Sequence, residues 1–300
     1  MLSTEDAFAK FRSRLELNGK EQEDTSRRQR DLRELMDEDF DVDHDFLTGS
    51  YARHTKTKPL KDVDIFCVLG EDERHYREKA PSELLGAVES TLARQYGQTS
   101  VKRNRRSVTV DFGVKADAED KTDYRVMSFD VVPAFAVEDD YEIPDTGTNG
   151  GGGGWTKTNP RVHADKAVEA QEAYGGEWKG LVRMMKYWNN HHDKPIRPSF
   201  LVEVVALEVL HPPYGGDRAR EMQFFFAALG GRIHEIWEDP AGLGPPVSDA
   251  MDAAKQAAAE RALRAAEREA ALAIALTRQG RQGEALKAWR ALFGPRFPLS

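Results

Sequence analysis

LTGSYARHTKTKPLKDVDIFCVL is the sequence of residues 47–69, and this stretch decides the fold. A Gly-Ser turn is followed by eleven residues and then by Asp62-Val63-Asp64, which leads straight into an apolar run, residues 65–69. The length and composition of that run predict a buried strand. Because residues i and i+2 of a strand project from the same face, we expect Asp62 and Asp64 side by side, with Val63 turned into the core.

The two neighbouring carboxylates indicate a bound cation, because like charges at this separation repel each other. A hard divalent ion such as Mg²⁺ prefers oxygen ligands and commonly binds one or two carboxylates together with substrate phosphates. Gly49 and Ser50 add backbone N–H groups and a hydroxyl that can meet a phosphate. An Asp-x-Asp pair alone is more often an exposed strand end, and Gly-Ser alone is more often only a turn. Their combination with an apolar strand favours a metal and phosphate site.

Length, composition and charge limit the classes of protein to which the chain can belong. Its 300 residues suffice for two modest domains or one large one. A composition of 40% hydrophobic and 31% charged residues predicts a soluble, globular protein. The formal net charge of −8 does not indicate nucleic acid as a general partner. No apolar run reaches membrane-spanning length and no secretory signal precedes the first helix, so we expect no membrane partner and a cytoplasmic location. The single cysteine, Cys67, excludes a disulfide within one chain.

A further carboxylate follows later in the chain. Residues 107–114 and 124–133 alternate apolar and polar side chains as strands do, and the acidic segment 115–123 between them is expected to be a hairpin turn. Asp130 lies among apolar neighbours in the second strand, and a buried charge requires a partner. A third metal ligand is the simplest explanation for it. Asp111, on the first strand, is the rival for this role, although a solvent-facing position is equally reasonable for it.

Five consecutive glycines, residues 150–154, mark the clearest break in the chain. Glycine is costly to order in regular structure, so this run predicts a flexible loop that joins two lobes, with a phosphate cradle as the alternative. Apolar residues then recur at helical spacing, and the second half is expected to be helical over residues 177–192, 200–210 and 248–280.

These motifs resemble the nucleotidyltransferase superfamily of the DNA polymerase β type, whose signature is Gly-Ser, a spacer, and Asp-x-Asp on a strand. In that superfamily a later strand supplies a third carboxylate, and FDVVPA, residues 129–134, is similar to that strand. The resemblance therefore favours Asp130 over Asp111. It implies that Asp62, Asp64 and Asp130 are the catalytic and metal-binding residues, with Mg²⁺ or Mn²⁺ as the ion.

Two motifs in the helical half restrict the resemblance to one group within this superfamily. LVRMMKYWN, residues 181–189, and RPSFLVE, residues 197–203, are similar to the template-independent synthases: oligoadenylate synthase, cyclic GMP-AMP synthase and their bacterial relatives, the CD-NTases. In that family the matching lysine contacts a nucleotide phosphate, the serine contacts the nucleotide, and the next aromatic residue stacks on a base. The resemblance thus implies nucleotide-binding roles for Lys186, Ser199 and Phe200. Without it, a helical lysine is more often solvated surface, and Phe200 could equally be core.

The resemblance also implies a fold and an activity. We expect an α+β chain: a polymerase β-type nucleotidyltransferase core with a mixed sheet and an N-terminal helix, residues 1–156, and a helical nucleotide-binding domain, residues 157–300. The implied enzyme makes a cyclic di- or trinucleotide second messenger from nucleoside triphosphates. By family analogy it serves bacterial anti-phage signalling, and its product binds a separate effector. The chain lacks the cysteine and histidine clusters of the animal DNA sensor, so we do not expect nucleic acid as the activator.

Two alternatives stay open on the sequence. The chain could be a minimal nucleotidyltransferase that modifies RNA ends or a protein, but the motifs around Lys186 and Ser199-Phe200 argue against a minimal enzyme. It could also be a nucleotide-binding regulator without turnover. Three intact carboxylates argue against that, because a site that has lost its metal has no reason to keep like charges together.

Overall fold

The computed structural model describes residues 2–114, 125–147 and 153–300. The hairpin turn predicted over residues 115–123 and the glycines before residue 153 therefore lie outside the described residues. Contacts divide the chain into two compact units: a sheet unit, Leu17–His163, and a helical unit, Met1–Glu16 with Ala164–Ser300. This division differs from the predicted one in two respects, because residues 1–16 group with the helical unit and the later boundary follows residue 163.

The helices predicted over residues 177–192, 200–210 and 248–280 are present as Trp178–His191, Phe200–Val209 and Ala253–Arg278. The α-helices of the described residues are α1 (Thr4–Leu15), α2 (Gly19–Asp37), α3 (Gly49–Ala52), α4 (Pro81–Tyr96), α5 (Pro160–Ala173), α6 (Trp178–His191), α7 (Phe200–Val209), α8 (Arg218–Arg232), α9 (Ala253–Arg278) and α10 (Gln282–Phe293). The strands are β1 (Val42–Thr48), β2 (Asp62–Leu69), β3 (Val101–Arg103), β4 (Val108–Asp111), β5 (Ser128–Val137), β6 (Asp140–Asp145) and β7 (Gly154–Thr158). Two short 3₁₀ helices are Glu71–Glu78 and Val247–Ala250. None of the helices in the described residues has the combination of length and apolar composition needed to cross a bilayer.

The strands form one mixed sheet in the order β1-β2-β5-β4-β3, and β6 pairs with both β5 and β7. β2 and β5 run parallel, whereas the other pairs are antiparallel. The predicted α+β class with a mixed sheet is therefore confirmed. Because β2 and β5 are parallel, both strands begin at the same edge of the sheet, and the predicted carboxylates lie in their first residues.

One face of the sheet holds the core of its unit. Val63 and Ile65 of β2 and Phe129 and Val131 of β5 are fully buried on this face. Helices α2 and α4 cover it, and α4 contributes four fully buried residues, Leu84, Leu85, Val88 and Leu92. Because side chains alternate along a strand, the residues between these core positions must project from the opposite face. Asp62, Asp64 and Asp130 occupy such positions.

The helical unit has its own core, and α1 is part of it. Ser3 caps α1 by accepting a hydrogen bond from the Asp6 backbone N–H at 3.0 Å, as its position before the first turn predicts. Phe8 packs edge-on against Trp289 and Phe297, with ring centroids 4.9 Å and 5.2 Å apart. The apolar stripe of α1 therefore contributes to a core that the last helix of the chain completes.

Replacing Phe8 by alanine tests this assignment of α1. We expect Phe8→Ala to lower the free energy of unfolding by about 3–5 kcal/mol, because it removes a fully buried ring from an aromatic cluster. Denaturant unfolding followed by tryptophan fluorescence measures the loss. Phe224→Ala is the matched control, since that ring is 49% exposed. Equal losses in the two variants would contradict the packing described for α1.

Candidate active site

A row of polar side chains crosses the sheet on the face opposite the core. Asp64 of β2 is the register partner of Asp130 of β5, and it also pairs with Thr48 of β1. Asp130 in turn pairs with Thr109 of β4, which pairs with Lys102 of β3. Directly paired residues project from the same face, so these five side chains form one line, which we call the polar row. The sheet thus places two of the three predicted carboxylates next to each other.

The polar row lies at the end of the sheet where β2 and β5 begin. Further along the same face, the strands carry an apolar cluster that includes Phe66, Val68 and Val132. Asp62 is the first residue of β2 and pairs with Ser128, the first residue of β5. The expectation that Asp62 and Asp64 share a face is met by this register. The carboxylates therefore lie between this apolar cluster and the first residues of β2 and β5.

Asp64 carries an unfavourable charge. Burial, with smaller contributions from the nearby carboxylates of Asp130 and Asp62, raises the pKa of Asp64 to about 6, although Lys56 and Arg53 act in the opposite direction. The ionised carboxylate is thus desolvated and faces two like charges. A positive charge placed at this position would remove that cost, which is the electrostatic condition for a cation site.

Gly49 leaves room for the Asp64 carboxylate. Its backbone has a φ of +62°, a left-handed conformation that favours glycine. A Cβ atom added at this position would lie 1.8 Å from Oδ2 of Asp64. The next residue, Ser50, has its carbonyl oxygen 3.0 Å from the backbone N–H of Thr55, which donates to it and closes the turn. The Gly-Ser turn and the Asp-x-Asp strand are therefore one spatial motif, as their spacing in the sequence predicts.

Asp130 is held in place by a chain of hydrogen bonds. The side-chain amide of Asn104 donates to Oγ1 of Thr109 at 2.6 Å. The Thr109 oxygen accepts that bond, so its own proton is directed to Oδ1 of Asp130, to which it donates. Burial raises the pKa of Asp130, and the Thr109 hydrogen bond opposes this by stabilising the carboxylate. One oxygen of Asp130 is thus committed to Thr109.

Asp111, the rival third ligand, lies elsewhere on β4. It is exposed, and its Oδ1 accepts a hydrogen bond from the backbone N–H of Gly113 at 2.8 Å. Its register partner is Ser128, whereas the partner of Asp64 is Asp130. The structure therefore brings Asp130 rather than Asp111 beside Asp64.

Asp62 is engaged by a lysine that sequence reasoning missed. The Lys56 ammonium lies 2.8 Å from Oδ2 of Asp62, and the two side chains are 12% and 56% exposed. Within residues 2–114, 125–147 and 153–300, no three acidic, histidine or cysteine side chains are grouped as a metal site. The donors still suit a hard divalent ion, because Asp64 and Asp130 offer adjacent carboxylates whose charges are costly without one. At Oδ2 of Asp62 a metal ion would have to compete with the Lys56 ammonium.

The residues predicted on the helical unit differ in their accessibility. Lys186 of α6 is buried, and its ammonium forms an ion pair with the buried carboxylate of Glu203 on α7. Ser199 is exposed at the start of α7, and Phe200 is half-buried with its ring against the helical core. A buried ammonium requires a counter-charge, so Glu203 is part of any role that Lys186 has. Nothing in the sequence pattern singled out Glu203.

Comparisons with known proteins identify the family to which the chain is similar. The family model described as Second Messenger Oligonucleotide or Dinucleotide Synthetase domain matches residues 2–170, which is more than half of the chain. A probable cyclic nucleotide synthase of Bacillus cereus is 27% identical over 284 residues, covering 83% of this chain and 81% of that protein. A cyclic AMP-AMP-AMP synthase of an Acinetobacter strain is 28% identical over 279 residues, covering 86% of this chain and 73% of that protein.

Solved structures extend the comparison to the fold. The structure of Escherichia coli MS115-1 CdnC with ATP is similar to this chain with a TM-score of 0.71 and 20% sequence identity, and the match covers 99% of both chains. At that identity the similarity concerns the fold alone. It confirms the predicted combination of a polymerase β-type core and a helical region.

The electrostatic cost at Asp64 predicts a stability change. The pKa of Asp64 in the folded chain, about 6, lies above the ordinary aspartate value of 3.8. Between these values the folded state keeps a proton that the unfolded state has lost, so stability falls as the pH rises and the full cost is present above pH 6. We therefore expect metal-free Asp64→Asn to be more stable than the wild type at pH 8, by about 1–3 kcal/mol.

Denaturant unfolding in EDTA at pH 8 and at pH 4.5 measures this difference, which should shrink at the lower pH. Asp111→Asn is the matched control, since Asp111 is an exposed carboxylate of the same sheet and asparagine can accept the same hydrogen bond from Gly113. A stability of Asp64→Asn at or below that of the wild type at pH 8 would show that the charge carries no such cost.

Proposed function

Because the chain belongs to the Second Messenger Oligonucleotide or Dinucleotide Synthetase family, that of the bacterial CD-NTases, we propose that it is a metal-dependent nucleotidyltransferase that makes a cyclic di- or trinucleotide from nucleoside triphosphates. Membership supports the general activity, synthesis of an oligonucleotide second messenger. The observation that carries the metal-dependent mechanism is the pairing of Asp64 with Asp130 beside the Gly49-Ser50 turn.

The proposed ligands of Mg²⁺, or of Mn²⁺ in its place, are Asp64, Asp130 and Asp62. The first two are register partners, and Asp62 lies two residues before Asp64 on the same face. When bound, the ion would polarise phosphate oxygens and lower the pKa of a bound hydroxyl group. This proposal accounts for the adjacent, partly desolvated carboxylates, which would otherwise only destabilise the sheet.

The protein groups have separate roles in the proposed transfer. Ser50 and the backbone N–H groups of the turn that begins at Gly49 bind the triphosphate. Asp130, whose carboxylate is oriented by the hydrogen bond from Thr109 to Oδ1, accepts the proton of the attacking ribose hydroxyl. The hydroxyl oxygen then bonds to the α-phosphorus, and pyrophosphate leaves with the electron pair of the broken P–O bond. A second such transfer within the linear product, or a third, closes the ring.

Three residues of the helical unit are proposed as nucleotide contacts on the family resemblance. The exposed hydroxyl of Ser199 can reach a ligand, and the half-buried ring of Phe200 can offer one face to a base. Lys186 is proposed as the phosphate contact, but a phosphate would have to compete with Glu203 for its ammonium. The buried pair favours a structural role for Lys186 as the competing assignment.

The biological role is proposed by analogy. Within a CD-NTase family, a cyclic product would act in anti-phage signalling by binding a separate effector, so the effector would recognise the product rather than this chain. The minimal transferase is the weaker alternative, because the similarity to two cyclic nucleotide synthases covers 83% and 86% of the chain. The regulator without turnover is weaker too, because Asp64 and Asp130 keep like charges together at a cost that a bound cation would offset.

Incubation of the purified protein with labelled ATP, GTP, CTP and UTP and Mg²⁺ or Mn²⁺, followed by phosphatase treatment and mass spectrometry, tests the activity. We expect a phosphatase-resistant species without terminal phosphates, whose mass identifies its bases. Label on RNA or on the protein, with no such species, would favour the minimal transferase.

The same assay tests the carboxylates. We expect Asp64→Asn and Asp130→Asn to lower the rate of product formation by at least about 100-fold, because each substitution removes a charge that the transition state needs. Asp111→Asn should retain the wild-type rate. Substantial product from either of the first two variants would make the assignment of the carboxylates wrong, even if the wild type forms a cyclic product.

A further inference from the structure

We propose that Lys56 is an internal cation of the carboxylate cluster formed by Asp62, Asp64 and Asp130, and that it weakens the binding of a divalent metal there in the absence of nucleotide. The inference rests on the proposed function, since it takes this cluster as the metal-binding part of the site. It concerns a residue that lies between the Gly-Ser turn and the Asp-x-Asp strand and that neither motif includes.

The geometry of Lys56 differs from that of the other lysines in the same segment. Its ammonium lies 2.8 Å from Oδ2 of Asp62, and its side chain is only 12% exposed. Lys58 instead lies 3.1 Å from the buried carboxylate of Glu21, and Lys61 is exposed. Burying a lysine stem and ordering its ammonium has a cost in conformational entropy, so a specific partner must offset it. For Lys56 the partner is a candidate metal ligand.

The charge of Lys56 acts on the whole cluster. It contacts Asp62 directly, Asp64 lies two residues further on the same face of β2, and Asp130 is the register partner of Asp64. A single ammonium therefore reduces the repulsion among three carboxylates, which is the task that a bound metal ion would otherwise perform.

A positive charge in this position has two opposite consequences. It stabilises the metal-free protein, because it compensates the crowded carboxylates. It also lowers the affinity for a free divalent ion, because the ion must compete for Asp62 and is repelled by the ammonium. A nucleoside triphosphate brings negative phosphates that reverse this repulsion. Lys56 would thus make the site favour a metal–nucleotide complex over the metal alone, which is a positive coupling between the two ligands.

Removal of the charge tests the proposal without any nucleotide. We expect Lys56→Met to bind Mn²⁺ about 3- to 10-fold more tightly than the wild type, measured from the electron paramagnetic resonance signal of free Mn²⁺. In EDTA, the melting temperature of the same variant should fall by about 2–4 °C, because the cluster loses its counter-charge. Lys56→Gln, which keeps a polar end, should show the same directions, and Lys56→Arg should resemble the wild type.

Two controls make the result specific. Lys61→Met removes the same charge from an exposed neighbour. Its effects on the Mn²⁺ affinity and on the melting temperature should be much smaller than those of Lys56→Met. In an Asp64→Asn background, Lys56→Met should no longer tighten Mn²⁺ binding, because the ligand set is incomplete.

The outcomes separate this inference from the proposed function. Tighter Mn²⁺ binding in Lys56→Met supports the role of Lys56 even if no cyclic product is ever formed by the wild type. If Lys56→Met binds Mn²⁺ no more tightly than Lys61→Met, or if neither variant nor the wild type binds it, the inference is overturned. Formation of a cyclic product by the wild type would then leave the proposed function standing.

Discussion

The repulsion between two adjacent carboxylates is the constraint around which the sheet unit is arranged. Parallel pairing of β2 with β5 makes Asp64 and Asp130 neighbours at the edge where both strands begin. Burial raises the pKa of both groups, so their charges are unfavourable in the folded chain. Individual neighbouring residues reduce this cost: Thr109 donates a hydrogen bond to Asp130, and Lys56 and Arg53 lower the pKa of Asp64. A site that is costly by itself but favourable with a bound cation is typical of catalytic centres.

The opposite face of the same strands supplies the stability that this arrangement requires. Val63 and Ile65 alternate with the aspartates of β2, and Phe129 and Val131 flank Asp130 on β5, all of them fully buried. Strand alternation thus links the stability of the sheet to the position of the carboxylates. The residues that hold the strands in the core also determine where the carboxylates point. A shift of the register by one residue would turn the carboxylates into the core and the apolar side chains out of it. The register that buries the apolar side chains is therefore also the register that places Asp64 beside Asp130.

Two lysines in this chain illustrate different uses of an ion pair. Lys56 pairs with Asp62, which is 56% exposed, so this pair can separate with its carboxylate already in contact with water. Lys186 pairs with Glu203, and both side chains are at most 5% exposed. Breaking such a buried pair costs about 3–5 kcal/mol, because it leaves an uncompensated charge. Of the two ammonium groups, that of Lys56 is therefore the one that a bound ligand can displace at small cost.

The sequence by itself determined the features that depend on periodicity and short spacing. It predicted β2, the common face of Asp62 and Asp64, and the helices α6, α7 and α9, because these follow from alternation or helical spacing along one segment. The choice of Asp130 over Asp111 needed the family resemblance as well. Only the tertiary structure decided which segments meet: the packing of α1 against Trp289, the contact of Lys56 with Asp62, the pairing of Lys186 with Glu203, and the space that Gly49 leaves for Asp64. The physical reason is that a sequence pattern determines which face of an element is apolar or charged, whereas the partner of that face is chosen by the packing of the whole chain.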